Sequence, residues 1–277
     1  MENFREEIRA FEEYLRREEK SSATIEKYLR DVQRFCSSIT DGKLSKERVM
    51  EHKQELSGRF KASSVNSRLS AVNCFLRFME REDCCVKLLK IQRQMFLEEE
   101  REITVAEYQS LVKAAGETRI GYIIQTICGT GIRISELQYI TVEALLREKA
   151  VIACKNKTRT IFIPGQVQEM LWKYVRENHI TKGCIFITRN EKPLNRSNIW
   201  KEMKALCERA QIPPQKVFPH NLRHLFARTF YGMEKDIVQL ADLLGHSSIN
   251  TTRIYTIESG TKHRKNLEKV NGILFTT

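Results

Sequence analysis

Proline is missing before Pro164, and the first hundred residues hold only two glycines, Gly42 and Gly58, so this stretch has few of the residues that break helices. No hydrophobic run is long. The longest segment without Asp, Glu, Lys or Arg spans Ile120 to Ile132, too short to cross a bilayer, and Met1 leads into Glu2 and Arg5 rather than the apolar core of a signal peptide. The eight cysteines form no CxxC pair and have no His nearby at zinc-ligand spacing, and the adjacent Cys84 and Cys85 are poorly placed to bridge each other. There is no glycine-rich loop ending in Lys-Ser/Thr, no carboxylate cluster of metal-site type and no internal repeat. These absences predict reduced thiols, a cytoplasmic location, no membrane association, no metal and no cofactor.

What is present is a chain of 277 residues, 41% hydrophobic and 30% charged, which excludes a disordered tail and fits two globular domains. The formal net charge is +12, and it is unevenly placed. Residues 1–100 carry 20 basic and 19 acidic side chains, so nearly the whole excess lies in residues 101–277. Within the first hundred, residues 1–41 are slightly acidic, whereas Gly42 to Phe78 hold 8 basic and 3 acidic residues. A polyanion such as nucleic acid is the natural partner of such a distribution, and a merely solvated basic face is the alternative that charge alone leaves open.

Apolar periodicity organises the N-terminal part. A helix is expected near Phe4 to Arg17. Ser21 and Ser22 precede Ile25, Leu29, Val32 and Cys36 on one helical face. A third helix runs near Ser45 to Leu56, and Ser63 or Ser64 caps a fourth with Val65, Leu69, Val72, Leu76 and Met79. This predicts a four-helix domain over residues 1–82, with Arg59, Lys61, Asn66 and Arg68 as candidate contacts to a polyanion near the start of its last helix. Residues 83–101 are expected to connect it to a second domain, 102–277. That domain opens on a capping box, Thr104 with Glu107. Helical patterns follow at 120–128, 135–139, 167–176, 196–210, 222–231 and 236–244. Ala150 to Cys154 and Thr160 to Ile163 read as a hairpin with a basic turn that holds Lys155, Lys157 and Arg159, and Cys184 to Thr188 as one more strand. The expected fold class is therefore mainly α with a small β-hairpin or sheet.

Four places carry candidate chemistry, and each has an ordinary reading when taken alone. Arg133 follows Thr130-Gly131-Ile132 and precedes a helix start, where it can position an anion or be a surface arginine. His220 and Arg223 are three apart, on one helical face. His246 and Tyr255 are nine apart, which an unbroken helix would place on opposite faces. Gly245 as a C-terminal cap and Ser247 or Ser248 as a new N-cap let the chain turn at His246 and bring Tyr255 back, although Tyr255 taken alone reads as a half-buried packing residue.

In this order the boxes resemble the tyrosine recombinase, or phage integrase, family. The family pattern is an Arg in Thr-Gly-x-Arg-x-Ser-Glu-Leu, a Lys in a hairpin turn, His-x-x-Arg, Leu-Gly-His, and a Tyr nine residues after that His. Here these are Arg133, Lys155, His220 with Arg223, Leu244-Gly245-His246, and Tyr255. The resemblance covers essentially the whole chain. It implies a SAM-like core-binding domain before a mixed α/β catalytic domain, and a site-specific recombinase that cleaves and rejoins DNA through a 3′-phosphotyrosine. Tyr255 would be the nucleophile, Arg133 and Arg223 the phosphate clamp, Lys155 the general acid, His220 an aid to proton transfer and His246 a donor to the phosphate. Metal and ATP are not needed, because the phosphotyrosine conserves the bond energy.

The hairpin departs from the family's usual Gly-Lys-Gly-x-Lys by one residue, which leaves Lys155 and Lys157 both open as the acid. Arg159 and Arg196 join the candidate DNA contacts. The resemblance further implies double-stranded DNA as partner and a homotetramer on two sites, with a monomer or dimer off DNA. No arm-binding domain precedes the helical one, so a compact Xer-like, transposon or inversion type is expected. The apolar end of the tail, from Leu267 to Phe275, resembles a segment that docks on a neighbouring protomer, with packing on its own domain as the alternative. A type IB topoisomerase-like nicking-closing enzyme and a non-catalytic DNA-binding regulator are the competing functions.

Overall fold

The computed structural model describes residues 4–39, 42–91, 99–154, 157–188, 190, 192–246, 248–255 and 268–271, with no side chain described for Glu99, Ala153, Cys154 or Lys157. The chain divides into two compact units, Met1–Arg93 and Gln94–Thr277.

In the first unit, α1 (Arg5–Arg17), α2 (Ser22–Ser37), α3 (Lys46–Arg59) and α4 (Ala62–Phe78) enclose one apolar core. Phe11, Phe35, Leu69, Val72 and Phe75 are among its fully buried members, and Phe11 meets Phe75 edge-to-face with ring centroids 5.2 Å apart. Neither Ser63 nor Ser64 caps α4. Helix α3 continues three residues past Leu56, so only Phe60 and Lys61 separate it from α4, and Lys61 takes the N-cap position with no side-chain hydrogen bond. Residues beyond α4 also belong to this core: Cys84 and Val86 are buried in it. The buried Asn73 donates from Nδ2 to Val86 O (2.8 Å) and accepts from Val86 N–H at Oδ1 (3.1 Å). Asn66, two helical turns earlier, makes the same pair of bonds with Leu89 (2.9 and 2.7 Å).

The second unit begins with α5 (Val105–Ala115), whose Thr104–Glu107 capping box forms as expected. Helix α6 (Arg119–Thr130) is apolar on nearly every side, as befits an element wrapped by others, and packs against helices described below. Thr118 caps it by accepting from Gly121 N–H. A 3-10 turn, Ile134–Tyr139, leads to α7 (Val142–Leu146), a short helix without a clear sequence signal. Strands β1 (Lys149–Cys154) and β2 (Lys157–Phe162) pair antiparallel, with Cys154 opposite Lys157.

Helices α8 (Gly165–Glu177), α9 (Arg196–Ala205), α10 (Cys207–Ala210), α11 (Pro219–Glu234), α12 (Ile237–Leu244) and α13 (Ile249–Thr252) follow, and a 3-10 turn, Arg253–Tyr255, ends on the tyrosine. Helices α8 and α11 flank α6. Cys184–Thr188 is not a strand: Cys184 makes one isolated bridge with Thr141, and Ile187 one with Pro193. Residues 268–271 are helical and exposed, and the rest of the expected docking tail lies outside the described residues. Among the described residues no helix is long and apolar enough to cross a membrane, and no group of three or more His, Cys, Asp or Glu could hold a metal ion.

Candidate active site

Arg223, His220, His246, Arg133 and Tyr255 come together although more than a hundred residues separate Arg133 from Tyr255. Helix α11 starts at Pro219, whose fixed φ suits a first helical turn, and presents His220 and Arg223 one turn apart. Arg223 is only 2% exposed. It reaches across the unit: Nη1 donates to Gly131 O (2.5 Å), and Nη2 to Leu244 O (2.6 Å) and towards His246 Nε2 (3.2 Å). Both carbonyls belong to helix ends, where backbone oxygens lack an intrahelical partner. Gly131 and Gly245 close α6 and α12 with φ of 65° and 62°, the left-handed region that glycine enters without strain. A Cβ at Gly131 would collide with the Phe226 ring and one at Gly245 with the Arg159 side chain.

Arg133 stands just past the α6 cap and keeps part of its surface open. Its Nη1 donates to Glu136 Oε1 (2.9 Å), its backbone N–H to Glu136 Oε2 (2.7 Å), and Nη2 reaches Gly245 O (3.4 Å). Glu136, buried, also receives a hydrogen bond from Arg159 Nη2. Burial works to raise the Glu136 carboxyl, but the Arg133 N–H and the charges of Arg159 and Arg133 hold it below its ordinary range. Glu136 thus fixes two arginines as a charged pair of donors.

Arg159 corrects the expectation of an outward DNA contact in a hairpin turn. It belongs to β2, opposite Ile152, and shares the inward face with buried Ile161, while Thr158, Thr160 and Phe162 face out. Its guanidinium is spent inside, on Glu136 and on Leu243 O (2.9 Å). Lys155 lies outside the described residues, and of Lys157 only its place in β2 is given.

The turn at His246 forms as its flanking residues predict, with Gly245 capping α12 and Ser248 accepting from Asn250 N–H to start α13. His246 Nδ1 lies 2.9 Å from Thr252 Oγ1. Since Arg223 can only donate at Nε2, the neutral tautomer with hydrogen on Nδ1 satisfies both contacts. Burial, with Arg223 and Arg133 behind it, pushes the His246 pKa down to about 4. His220 retains an exposed edge, yet desolvation by the surrounding wall, then His224 and Arg223, lowers its pKa likewise to about 4. Burial and the Arg133 charge bring even Arg223 down to about 10. The site holds more positive charge than its own carboxylates cancel.

Tyr255 is 4% exposed. Its ring lies parallel to His246 (centroids 6.0 Å) and edge-to-face with His224 (4.9 Å), inside a small cluster with Ala227, Leu240 and Leu244. In front of the arginines opens a cavity of about 770 Å³, lined among others by Arg133, Ser135, Arg196, Trp200, Lys201, His220 and Arg223. Trp200 and Lys201 escaped the sequence reading. The i, i+4 spacing from Arg196 is the signal that would have found Trp200.

In the first unit, Arg59 is exposed and lies 3.1 Å from Glu55, Lys61 is exposed, and the Arg68 guanidinium lies over the Phe60 ring at 4.0 Å. Asn66 has a different task from the one expected, since its amide is occupied by Leu89.

Comparison with known proteins shows the family to which the chain belongs. Residues 101–261 match the model of the phage integrase family, and residues 8–83 match that of the phage integrase N-terminal SAM-like domain. Tyrosine recombinase XerA of Pyrococcus furiosus is 26% identical over 96% of this chain and 94% of its own length. Tyrosine recombinase XerC of Pediococcus pentosaceus is 27% identical over 90% and 92%. Among solved structures, XerH bound to its difH substrate superposes with a TM-score of 0.68 at 18% identity over 91% of this chain and 80% of that one. A lambda integrase tetramer on a Holliday junction does so with 0.73 at 15% over 90% and 76%. With a SAM-like helical unit ahead of a matched catalytic region that spans more than half of its length, this chain belongs to the phage integrase family and is a tyrosine site-specific recombinase, an enzyme that cleaves and rejoins DNA.

Proposed function

We propose that the cavity before Arg133 and Arg223 receives the scissile phosphate of duplex DNA and that Tyr255 is the nucleophile. The convergence of Arg133, His220 and Arg223 on one basic cavity, with His246 against Arg223 and the Tyr255 ring beside His246, carries this reading. The Tyr255 oxygen bonds to phosphorus, the bond to O5′ breaks, and a 3′-phosphotyrosine with a free 5′-hydroxyl results. The tyrosine proton passes to neutral His220, and Lys155 or Lys157 protonates O5′. Arg133 and Arg223 bind the non-bridging oxygens, whose charge grows in the transition state.

His246 joins them once Arg223 turns from it to the phosphate. The Thr252 hydroxyl can then rotate from acceptor to donor, moving the imidazole hydrogen to Nε2. Because Tyr255 is buried, attack requires the 249–255 segment to shift towards the cavity. Reversal by a 5′-hydroxyl from another strand completes recombination without an external energy source.

Arg59, Lys61 and Arg68 of the first unit, Arg196 at the cavity rim and Lys157 bind flanking phosphates, which makes affinity fall steeply with salt. Four protomers assemble on two sites in the cytoplasm, as the tetrameric lambda integrase assembly suggests by likeness of fold. A nicked suicide substrate tests the chemistry: wild-type protein forms a covalent adduct and Tyr255→Phe does not. Absence of the adduct from folded, DNA-bound wild-type protein overturns the proposal. Strand exchange between two sites, rather than relaxation of supercoils alone, separates recombination from topoisomerase-like action.

A further inference from the structure

The histidine that follows Arg223 has no part in the scheme above. His224 is turned about 100° from Arg223 around α11, which brings its ring against Tyr255, edge-to-face at an interplanar angle of 88°. Its Nδ1 lies 3.3 Å from Glu102 Oε1. Glu102 is fixed in turn by Arg228, whose Nη2 lies 3.2 Å from Oε2 and donates to Ile103 O at 2.9 Å. The other ring nitrogen, His224 Nε2, is buried with no hydrogen-bond partner among the described residues.

A packing role explains little of this. An apolar ring would make the same edge contact without requiring a carboxylate to be withdrawn from water behind it. A histidine that donates Nδ1–H to a carboxylate has its tautomer and orientation fixed, and its Nε2 becomes a lone-pair acceptor. Such an acceptor kept from water is unfavourable unless something fills it at another stage of the working cycle.

We propose that His224, oriented by Glu102, is a positioning residue for Tyr255. It braces the phenol ring and offers Nε2 to the phenol hydroxyl when the 249–255 segment moves to meet the phosphate. This rests on Tyr255 being the nucleophile. His220 also touches His224, with ring centroids 4.4 Å apart, so Glu102→Gln is a cleaner probe than replacement of His224 itself.

The test uses single-turnover formation of the covalent adduct at saturating DNA, with DNA affinity and thermal unfolding measured alongside, for wild type, Glu102→Gln, His224→Asn and Tyr255→Phe. A second substrate carries sulfur in place of the bridging 5′-oxygen. A thiolate leaves without protonation, so this substrate rescues defects on the leaving-group side and leaves those on the nucleophile side. The expected result is a cleavage rate lowered about tenfold or more in Glu102→Gln and His224→Asn, with affinity and unfolding temperature near wild type and the same deficit on the sulfur substrate. Rates within twofold of wild type overturn the inference. So does a deficit erased by the sulfur substrate, or one that follows lost stability or DNA binding. A wild-type adduct equally strong in Tyr255→Phe would instead overturn the assignment of the nucleophile.

Discussion

In the first unit, the buried Asn73 and Asp31 meet partners that cancel them. Asn73 closes on both backbone groups of Val86, and Asp31 lies 3.1 Å from Lys27. In the second unit Arg133, Arg159 and Arg223 gather with Glu136 as the carboxylate between them, and His220 and His246 stay uncharged beside them. Folding alone favours the first arrangement. The second holds unbalanced positive charge in place through helix-end carbonyls, and that imbalance leaves a ready site for a phosphate.

Phe75→Ala breaks the apolar side of the comparison. It should cost the first unit about 3–5 kcal/mol, seen as a lower denaturant midpoint, while the second unit keeps its own unfolding transition. Arg223→Met addresses the other side. Cleavage at saturating DNA should fall by about 10²–10³-fold, or roughly 3–4 kcal/mol of barrier, while stability stays within about 2 kcal/mol of wild type, because relief from a buried charge offsets the loss of two carbonyl contacts. Asn73→Ala should lower stability by about 1–3 kcal/mol through the stranded Val86 groups, with cleavage rate at saturating DNA unchanged.

The smallest effect is on pH. His220 and His246 have folded pKa values lowered to about 4, below the unfolded value of 6.5, so the unfolded chain takes up protons first. Their contribution to stability is therefore present above pH 6.5 and is lost as pH falls towards 4. Imidazole resonances of both should hardly move between pH 7 and 5 in free protein, and bound DNA should raise both pKa values.

Much of this was legible in the sequence, because helix faces and caps are local. The stripes of α2 and α4, the Thr104–Glu107 box and the Gly245 turn that returns Tyr255 to His246 follow from neighbours in the chain. Arg159 was misread because its direction depends on hairpin register, and a turn taken as five residues hides which strand face it occupies. The stretch at Cys184 was read as a strand for its residue types, yet it makes only isolated bridges. Glu102 and His224 lie 122 residues apart, so nothing short of the fold could join them. Asn66 looked like a free polar side chain, since its partner is a backbone rather than a residue type.

The bonds that Asn66 and Asn73 make also have a mechanical meaning. They pin Val86 and Leu89 along α4 by four hydrogen bonds, two at each end of a short extended stretch. A pull on the chain beyond Leu89 along the helix loads all four in shear, rather than peeling them one at a time. The first unit thereby holds this stretch at two points along α4, so that fraying of the chain from Leu89 has to break paired hydrogen bonds before it reaches the edge of the core.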